Sequence, residues 1–335
     1  MGKTILKVEN LKTYFYSKEE TVKAVDGVSF EVYEGETFGL VGESGCGKSA
    51  TCRSILQLIK SQGKIIGGNI IYKDINLLNL NKSEMSKIRG REISMIFQEP
   101  MTSLNPILKI KKQIFDGFYK EMKLTNKEKE LRALELLKLV KIPSPIQRLE
   151  EYSHQFSGGM RQRAMIAISL AAKPKLLLAD EPTTALDVTI QDQIIKLING
   201  LKKELKMSVI LVTHDLAVIA QMCDRVAVMY AGKIVEMSDI KSIFSKPRHP
   251  YTYALMNALP SKNKRKKLEP IEGTPPNLAC LPNGCSFAPR CKIAEKICLE
   301  KEPELYELEP GHVIRCHMLH KTSAYKSIIE SSNER

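Results

Sequence analysis

The stretch GESGCGKS, residues 42 to 49, constrains the fold of this chain more than any other part of the sequence. It follows the apolar run ETFGLV and opens the run GKSATCRSILQLIK, which predicts a helix. The stretch fits the pattern G-x-x-x-x-G-K-[ST], in which backbone N–H groups and a helix N-terminus surround phosphate oxygens. In such a loop Lys48 reaches the β- and γ-phosphates, and the Ser49 hydroxyl ligates Mg²⁺. The pattern therefore predicts a nucleoside triphosphate site in an α/β fold.

Apolar runs of strand type alternate with helical patterns along most of the chain. The runs ILKVENLKTYFY and VKAVDGVSFEV near the start predict strands, and a helical insert is expected from Gln113 to about Val140. Further on, PKLLLADEP, MSVILVTHD and RVAVMYAGKIVE predict buried strands, with helices between the first two. This order predicts a mainly parallel sheet that is covered on both faces.

Composition limits the classes of partner. No apolar stretch approaches the roughly 18 residues of a membrane-spanning helix, and the start lacks a signal-peptide pattern, so a cytosolic chain is expected. The net charge is +13, but the one dense basic run, KNKRKK at 262 to 267, is better explained as a solvated linker than as a binding patch. With no Trp and 6% aromatic residues, the sequence argues against nucleic acid as a partner.

The run LLLADEP supplies a second set of catalytic candidates. It delivers Asp180 to the carboxyl end of a predicted buried strand, where the carboxylate can hold Mg²⁺ through water. Glu181 beside it can polarise an attacking water molecule. The run VILVTHD places His214 at the end of the next predicted strand, where a lone histidine is more often structural.

The segment FSGGM, residues 156 to 160, has two glycines at the start of a predicted helix and no lysine. The chain order of phosphate loop, FSGGM, LLLADEP, TALD and VTHD resembles the nucleotide-binding subunit of an ATP-binding cassette (ABC) transporter. The resemblance covers at least residues 5 to 240. It implies a P-loop NTPase fold, with a RecA-like core and antiparallel β and helical subdomains. The usual pentapeptide begins with Leu and ends with Gln, whereas Phe156 and Met160 stand at those places here.

The same resemblance implies roles for individual residues. Ser157, Gly158 and Gly159 would grip the γ-phosphate of an ATP held by the opposing subunit. Gln98 would sense Mg²⁺ and the attacking water, and His214 would contact the γ-phosphate. Asp187 would communicate between the two sites, and Phe15 would stack on adenine, with Tyr16 or plain core packing as alternatives. The implied phosphate-loop contacts are Gly42, Ser44, Gly45, Cys46 (through its backbone), Gly47, Lys48, Ser49 and Ala50.

The last quarter of the chain differs in composition, being rich in Pro, Lys and Cys, so a domain boundary is expected near residue 240. Its five clustered cysteines suggest a metal centre. The segments RHPYTYALMNALP, EGTPPNL and LPNGCSFAPRC resemble the carboxyl extension of bacterial dipeptide and oligopeptide importer subunits, which can carry an iron-sulfur cluster. The matching ligands would be Cys285, Cys291, Cys298 and Cys316, with Cys280 a spectator. Chemistry alone leaves three states open: a [4Fe-4S] cluster, zinc with help from His312 or His317, and free or disulfide-bonded thiols.

Together these resemblances predict an ABC nucleotide-binding domain over residues 1–240, with a helical subdomain at about 100–172, and a carboxyl extension over 241–335. The implied function is ATP hydrolysis that powers peptide import from the cytoplasmic face of the membrane. The implied partners are a second ATPase subunit (a related chain or a copy of this one), two permease subunits and, indirectly, a peptide-binding protein. A nickel or other small-solute importer is the alternative. A DNA-repair ATPase would need a far longer insert, and a translation factor normally has two cassettes.

Overall fold

The computed structural model describes residues 2–60, 62–119, 122–184, 186–258 and 270–317, so the basic run at 262 to 267 lies outside the described residues. The strands are β1 (Thr4–Tyr16), β2 (Thr21–Tyr33), β3 (Thr37–Val41), β4 (Gly63–Tyr72), β5 (Ile75–Asn76), β6 (Ile93–Ile96), β7 (Leu176–Asp180), β8 (Ser208–Thr213), β9 (Arg225–Tyr230), β10 (Lys233–Asp239), β11 (Tyr306–Glu309) and β12 (His312–Ile314). The helices are α1 (Lys48–Ile55), α2 (Lys82–Ile88), α3 (Pro100–Ser103), α4 (Ile110–Asp116), α5 (Asn126–Leu139), α6 (Pro145–Leu149), α7 (Gly158–Ser169), α8 (Val188–Leu205), α9 (Leu216–Met222), α10 (Ile240–Ser245), α11 (Pro250–Asn257) and α12 (Lys296–Glu300).

The described residues form two compact units. The first unit contains residues 2–6, 32–37 and 72–212, and the second contains residues 7–31, 38–71 and 213–317. The second unit therefore holds both the phosphate loop and the described part of the carboxyl extension. The boundary expected near residue 240 stays a prediction.

Three parallel strands form the centre of the first unit, in the order β8, β7, β6. Every residue of these strands is buried. Parallel strands that are covered on both faces require continuous apolar runs, which is why LLLAD and SVILVT read as buried strands from the sequence. The carboxyl end of β7 then carries Asp180 and Glu181 out of the apolar layer.

The helical insert of the first unit is interrupted. The sequence predicts helix from Gln113 to about Val140, whereas the structure has α4 ending at Asp116 and α5 beginning at Asn126. A capping box starts α5, because the Thr125 hydroxyl accepts the Glu128 N–H at 3.3 Å and the Glu128 carboxylate accepts the Thr125 N–H at 2.7 Å. The residues from 100 to 172 include α3 to α7, the region predicted as a helical subdomain.

The second unit contains two groups of strands. In one, β2, β1 and β4 lie side by side. In the other the order is β11, β12, β10, β9, β3, with β3 and β9 parallel and the remaining pairs antiparallel. The structure also places the short helix α9 between β8 and β9, which the sequence analysis did not predict.

A buried carboxylate joins the extension to the rest of the second unit. Glu236 of β10 is fully buried and accepts the backbone N–H groups of Arg248 at 2.7 Å and His249 at 2.9 Å. The Nε2 atom of His312, on β12, lies 2.8 Å from the Oε1 atom of Glu236. Because β12 also pairs with β10, residues on both sides of position 240 share one sheet.

The fully buried ring of His249 begins α11, and burial lowers its pKa from the ordinary value of 6.5 to about 4, against the opposing charge of Glu236. Its Nδ1 atom accepts the Tyr251 N–H at 3.0 Å, which fixes a neutral ring. The unfolded chain therefore binds a proton between about pH 6.5 and pH 4 that the folded chain does not. We expect this histidine to lower the free energy of unfolding by about 1 to 2 kcal/mol between pH 7 and pH 5.

Urea denaturation at the two pH values, on the unsubstituted chain and on His249→Gln, measures this contribution. The variant lacks the titrating ring, so its stability should fall less on acidification. An equal fall in both proteins would show that other groups, such as acid-sensitive carboxylates, account for the whole effect.

Candidate functional site

The phosphate loop lies between β3 and α1, and its glycines allow close backbone approach. Gly47 precedes α1 with φ of 108°, and a Cβ atom there would lie 2.1 Å from the Ala24 carbonyl oxygen, so a larger residue does not fit. Lys48 is 4% exposed, and its ammonium donates to the Gly42 carbonyl at 2.8 Å and to the Glu43 carbonyl at 2.9 Å. The cation therefore lies within the curve of the loop, where phosphate oxygens are expected.

The remaining loop residues differ in accessibility. Ser44 and Gly45 are exposed, Ser49 and Ala50 are half-buried, and Cys46 is buried. Burial raises the pKa of the Cys46 thiol, although the nearby Lys48 ammonium opposes this effect. A protonated, buried thiol agrees with the expectation that Cys46 contributes only its backbone.

Two of the predicted catalytic residues, Gln98 and Glu181, contact each other in the first unit. Asp180, at the end of β7, is fully buried, and Glu181 is 8% exposed with φ of 47°. The Glu181 Oε2 atom accepts hydrogen bonds from Gln98 Nε2 at 3.0 Å and from Thr184 Oγ1 at 2.8 Å. These two donors hold the carboxylate in one orientation. Sequence reasoning missed Thr184, whose only signal is its position three residues after Glu181 in a turn.

The segment FSGGM begins α7 as predicted. Ser157 is the N-cap residue, and its hydroxyl accepts the Met160 N–H at 3.3 Å. Ser157 and Gly158 are exposed, while a Cβ atom on Gly159 would lie 2.9 Å from a methyl carbon of Ile190. Packing within this chain thus explains why glycine stands at position 159, because the absence of a side chain lets α7 approach α8. The exposed helix N-terminus at Ser157 and Gly158 remains available to an anion.

Three further predicted residues occupy different environments. Asp187 is the exposed N-cap of α8 and accepts the Ile190 N–H at 2.9 Å, and His214 is exposed directly after β8. Phe15 is half-buried with its ring against Gly63, and its neighbour Tyr16 is 40% exposed. The roles of these residues stay predictions.

Three of the four cysteines matched by resemblance lie in one small apolar cluster of the extension. Cys298 and Cys316 are buried in a small apolar cluster, and Cys285 packs against it. Burial, with a smaller contribution from the charges of Cys285 and Cys298, raises the pKa of Cys291 to about 11. Cys280, the predicted spectator, is exposed.

The four cysteines are free thiols. Within the part of the chain that the structure describes, no group of three or more His, Cys, Asp or Glu residues has an arrangement that would hold a metal ion. The two histidines considered as zinc ligands have other partners. His312 Nε2 lies against Glu236, and His317 Nε2 lies 2.8 Å from the Lys301 carbonyl oxygen.

The extension also contacts the phosphate loop, which sequence reasoning did not predict. The Tyr251 hydroxyl of α11 accepts the Glu43 N–H at 3.0 Å, and Arg290 forms an ion pair with the Glu43 side chain. Both residues lie in segments that carry the resemblance to importer subunits, but their partners in the loop are more than 200 positions away in the chain. The contacts of these two residues with the loop can therefore be identified only from the folded structure.

No helix among the described residues has both the length and the apolar character needed to cross a membrane.

Comparison with protein families gives two matches. The ABC transporter family matches residues 25–184. The family described as the oligopeptide/dipeptide transporter C-terminal region matches residues 235–298. The second match covers three of the four clustered cysteines, up to Cys298.

Comparison with individual proteins extends over nearly the whole chain. The probable peptide ABC transporter ATP-binding protein y4tR of Sinorhizobium fredii is 49% identical over 315 residues, which cover 93% of this chain and 94% of that protein. The oligopeptide transport ATP-binding protein AppD of Bacillus subtilis is 47% identical over 326 residues, covering 97% of this chain and 99% of that one. The dipeptide transport ATP-binding protein DppD of Bacillus subtilis is 48% identical over 314 residues, covering 93% and 94%.

Among solved structures, the ATP-binding cassette MJ0796, in a dimeric post-hydrolysis state bound to ADP and Pi, is similar with a TM-score of 0.63 at 29% identity. The match covers 70% of this chain and 98% of that one. These likenesses confirm the predicted cassette fold and the predicted ATPase class. The chain belongs to the family of oligopeptide and dipeptide ABC transporter ATP-binding proteins.

Proposed function

We propose that this chain hydrolyses ATP to power the import of dipeptides or oligopeptides through two permease subunits. The observation that carries the proposal is that a transporter-type cassette and a peptide-transporter carboxyl extension occur in one chain, at 25–184 and 235–298. The substrate class rests on the extension and on relatives whose names specify peptides. A nickel or other small-solute importer is the alternative, since related ATPases drive both kinds of transport.

The proposed hydrolytic step uses the residues at the ends of β3, β6 and β7. Lys48 and the loop N–H groups would bind the phosphates of ATP. Ser49, Gln98 and Asp180 offer hydroxyl, amide and carboxylate oxygens, the donor types that suit Mg²⁺. When bound, the ion supplies positive charge to the phosphates.

Glu181 is the proposed general base. Gln98 and Thr184 hold its carboxylate by hydrogen bonds of 3.0 Å and 2.8 Å, so that it can accept a proton from the attacking water. His214, exposed after β8, would contact the γ-phosphate. Phe15 would stack on the adenine ring, with Tyr16 as its alternative.

The proposed site is completed by a second ATPase subunit. Ser157, Gly158 and Gly159 begin α7 without a lysine nearby in the chain, so this helix N-terminus suits a γ-phosphate whose lysine comes from the opposing subunit. Asp187 would link the two sites. In this arrangement ATP favours the closed pair, and hydrolysis releases it. The chain would work at the cytoplasmic face of the membrane, bound to permeases that receive peptides from a separate binding protein.

The transport proposal predicts a specific loss in the variant Glu181→Gln. The amide cannot accept the proton, so ATP turnover should fall at least about a hundredfold while ATP affinity stays within about twofold. Cells that lack this chain should regain uptake of a labelled dipeptide or tripeptide with the unsubstituted protein and should not regain it with the variant.

The matched control is Glu204→Gln, an exposed carboxylate near the end of α8, which should support normal uptake. Normal turnover by Glu181→Gln would remove Glu181 as the base. Restored nickel uptake without restored peptide uptake would favour the alternative substrate.

The proposal that a second ATPase subunit completes the site makes a separate prediction for Ser157→Arg. The bulky cation should abolish ATP turnover, because it blocks the contact with the opposing nucleotide, yet leave ATP affinity of the isolated subunit within about twofold. Equilibrium binding and steady-state turnover on the same preparation test both parts. Asn81→Arg, at the N-cap of α2, is the control for substitution at a helix start. Loss of affinity in the isolated Ser157→Arg subunit would contradict a site completed across an interface.

We also propose a [4Fe-4S] cluster held by Cys285, Cys291, Cys298 and Cys316, in preference to zinc or free thiols. In support, three of these thiols share one apolar cluster, and the charges of Cys285 and Cys298 contribute to the raised pKa of Cys291. Four thiols are a suitable ligand set for such a cluster. Its role would be to stabilise an extension whose small apolar core is weak.

Metal and acid-labile sulfide analysis, with a visible spectrum, tests the cluster on anaerobically purified protein. We expect about four irons and four sulfides per chain, lost in Cys291→Ser and retained in the exposed control Cys280→Ser. Stoichiometric zinc, or no metal in the freshly purified chain, would overturn the proposal.

A further inference from the structure

The second residue of the phosphate loop, Glu43, is held by a side chain of the carboxyl extension. The two terminal nitrogens of Arg290 bind the two carboxylate oxygens of Glu43 at 2.7 Å and 3.0 Å. The Arg290 side chain is 5% exposed, and that of Glu43 is 24% exposed. A bidentate pair with this degree of burial fixes both the distance and the orientation of the carboxylate.

The other contacts of Arg290 fix the guanidinium itself. Its Nε atom donates to the Glu272 carbonyl at 3.0 Å, and a terminal nitrogen donates to the Tyr230 hydroxyl at 3.2 Å. Its backbone lies at the end of a short 3₁₀ helix, residues 288–290. The planar guanidinium thus joins the phosphate loop to the end of β9 and to the segment near residue 272, in one rigid geometry.

Glu43 is constrained at its backbone as well. Its N–H donates to the hydroxyl of Tyr251, a fully buried residue of α11, at 3.0 Å. Its carbonyl accepts the Lys48 ammonium at 2.9 Å. The same ammonium must reach the phosphates of a nucleotide, so the position of Glu43 influences where Lys48 lies. Two residues of the extension therefore act on the loop that presents this lysine.

The extension also forms a wall beside the loop. A cavity of about 300 Å³ is lined on one side by loop residues 43–46 and on another by residues 275–278 of the extension. The Lys23 N–H of β2 donates to the Leu278 carbonyl at 3.2 Å, which anchors this segment. The extension thus lies beside the loop at this cavity and also contacts the loop through the Arg290–Glu43 pair.

We propose that Arg290 is a positioning residue for the phosphate loop, through which the carboxyl extension holds the loop in the conformation that binds nucleotide. The proposal rests on nucleotide binding at this loop. Arg290 stabilises one loop conformation before the nucleotide arrives, so less ordering is needed on binding. Without Arg290, the Glu43 carboxylate would lose its charged partner and turn toward water, carrying the loop backbone with it.

A purely structural role, in which Arg290 only attaches the extension, predicts a different outcome. Arg315 serves as the matched control, because it is also a well-buried arginine of the extension. Its Nε atom donates to the Ile234 carbonyl at 3.3 Å, and a terminal nitrogen donates to the Pro303 carbonyl at 3.1 Å. The first contact attaches the extension to β10, and neither contact involves the phosphate loop.

The experiment measures the dissociation constants of MgATP and MgADP for the full-length chain by titration calorimetry, with thermal melting in the absence of nucleotide. Arg290→Met should weaken MgATP binding by about tenfold, whereas Arg315→Met should stay within about twofold even if its melting temperature falls. Arg290→Lys should lie between Arg290→Met and the unsubstituted chain, because an ammonium keeps the charge and loses the bidentate geometry.

The pair Glu43→Gln and Arg290→Met completes a double-mutant cycle, in which the two losses of affinity should be less than additive. MgATP affinity within twofold of normal in Arg290→Met would overturn the proposal, as would an equal loss in Arg315→Met. If Arg290→Met does not fold, Glu43→Gln alone carries the test, and unchanged affinity in that variant would overturn the proposal. Failure of the unsubstituted chain to bind MgATP would instead refute the nucleotide site itself.

Discussion

Complete burial of three strands determines where the candidate site residues of each unit can lie. All residues of β3, β7 and β8 are buried, so polar groups can be placed only where these strands end. The phosphate loop follows β3, the Asp180–Glu181 pair ends β7, and His214 follows β8. The candidate site residues therefore lie at strand ends, since the buried interior of each strand has no place for them. Asp180 is itself fully buried as the last residue of β7.

The sequence predicts these strand ends well, because each is marked by a continuous apolar run that stops at a polar or glycine residue. The phosphate loop and the turn after β7 were predicted for this reason, whereas the start of α7 was predicted from the glycines of FSGGM. The break between α4 and α5 was missed, since Lys- and Glu-rich background continues through it and periodicity alone does not reveal a stop. The helix α9 was missed because its seven residues are too few for a clear period. Thr184 and Arg290 were missed because their partners are set by folding, with no local pattern.

The carboxyl extension shows how a segment with few apolar residues can still be held firmly. Its apolar cluster is small and includes two of its own cysteines, so burial alone supplies limited stability. Buried polar contacts add to it: the Glu236 carboxylate satisfies two backbone N–H groups and meets His312, and β12 extends the sheet beside β10. These contacts favour one arrangement of the extension, because a buried carboxylate that loses its hydrogen-bond partners destabilises the folded state. The position of the extension is therefore well determined.

The attachment of the extension at several points has a consequence for the phosphate loop. The extension is attached at β10 through Glu236, at β2 through Leu278 and at the phosphate loop through Arg290 and Tyr251. Arg290 is followed directly by Cys291. Phe287 lies three residues before Arg290 and packs against the rings of Tyr230 and Tyr251. A change at the cysteines that displaced residues 287–291 would therefore move a guanidinium and an aromatic cluster that both contact the loop. The planar guanidinium would pass part of such a displacement to Glu43 through its two hydrogen bonds. Arg290 therefore connects the segment that contains Cys291 to the phosphate loop, so the extension contributes directly to how the residues of this loop are held.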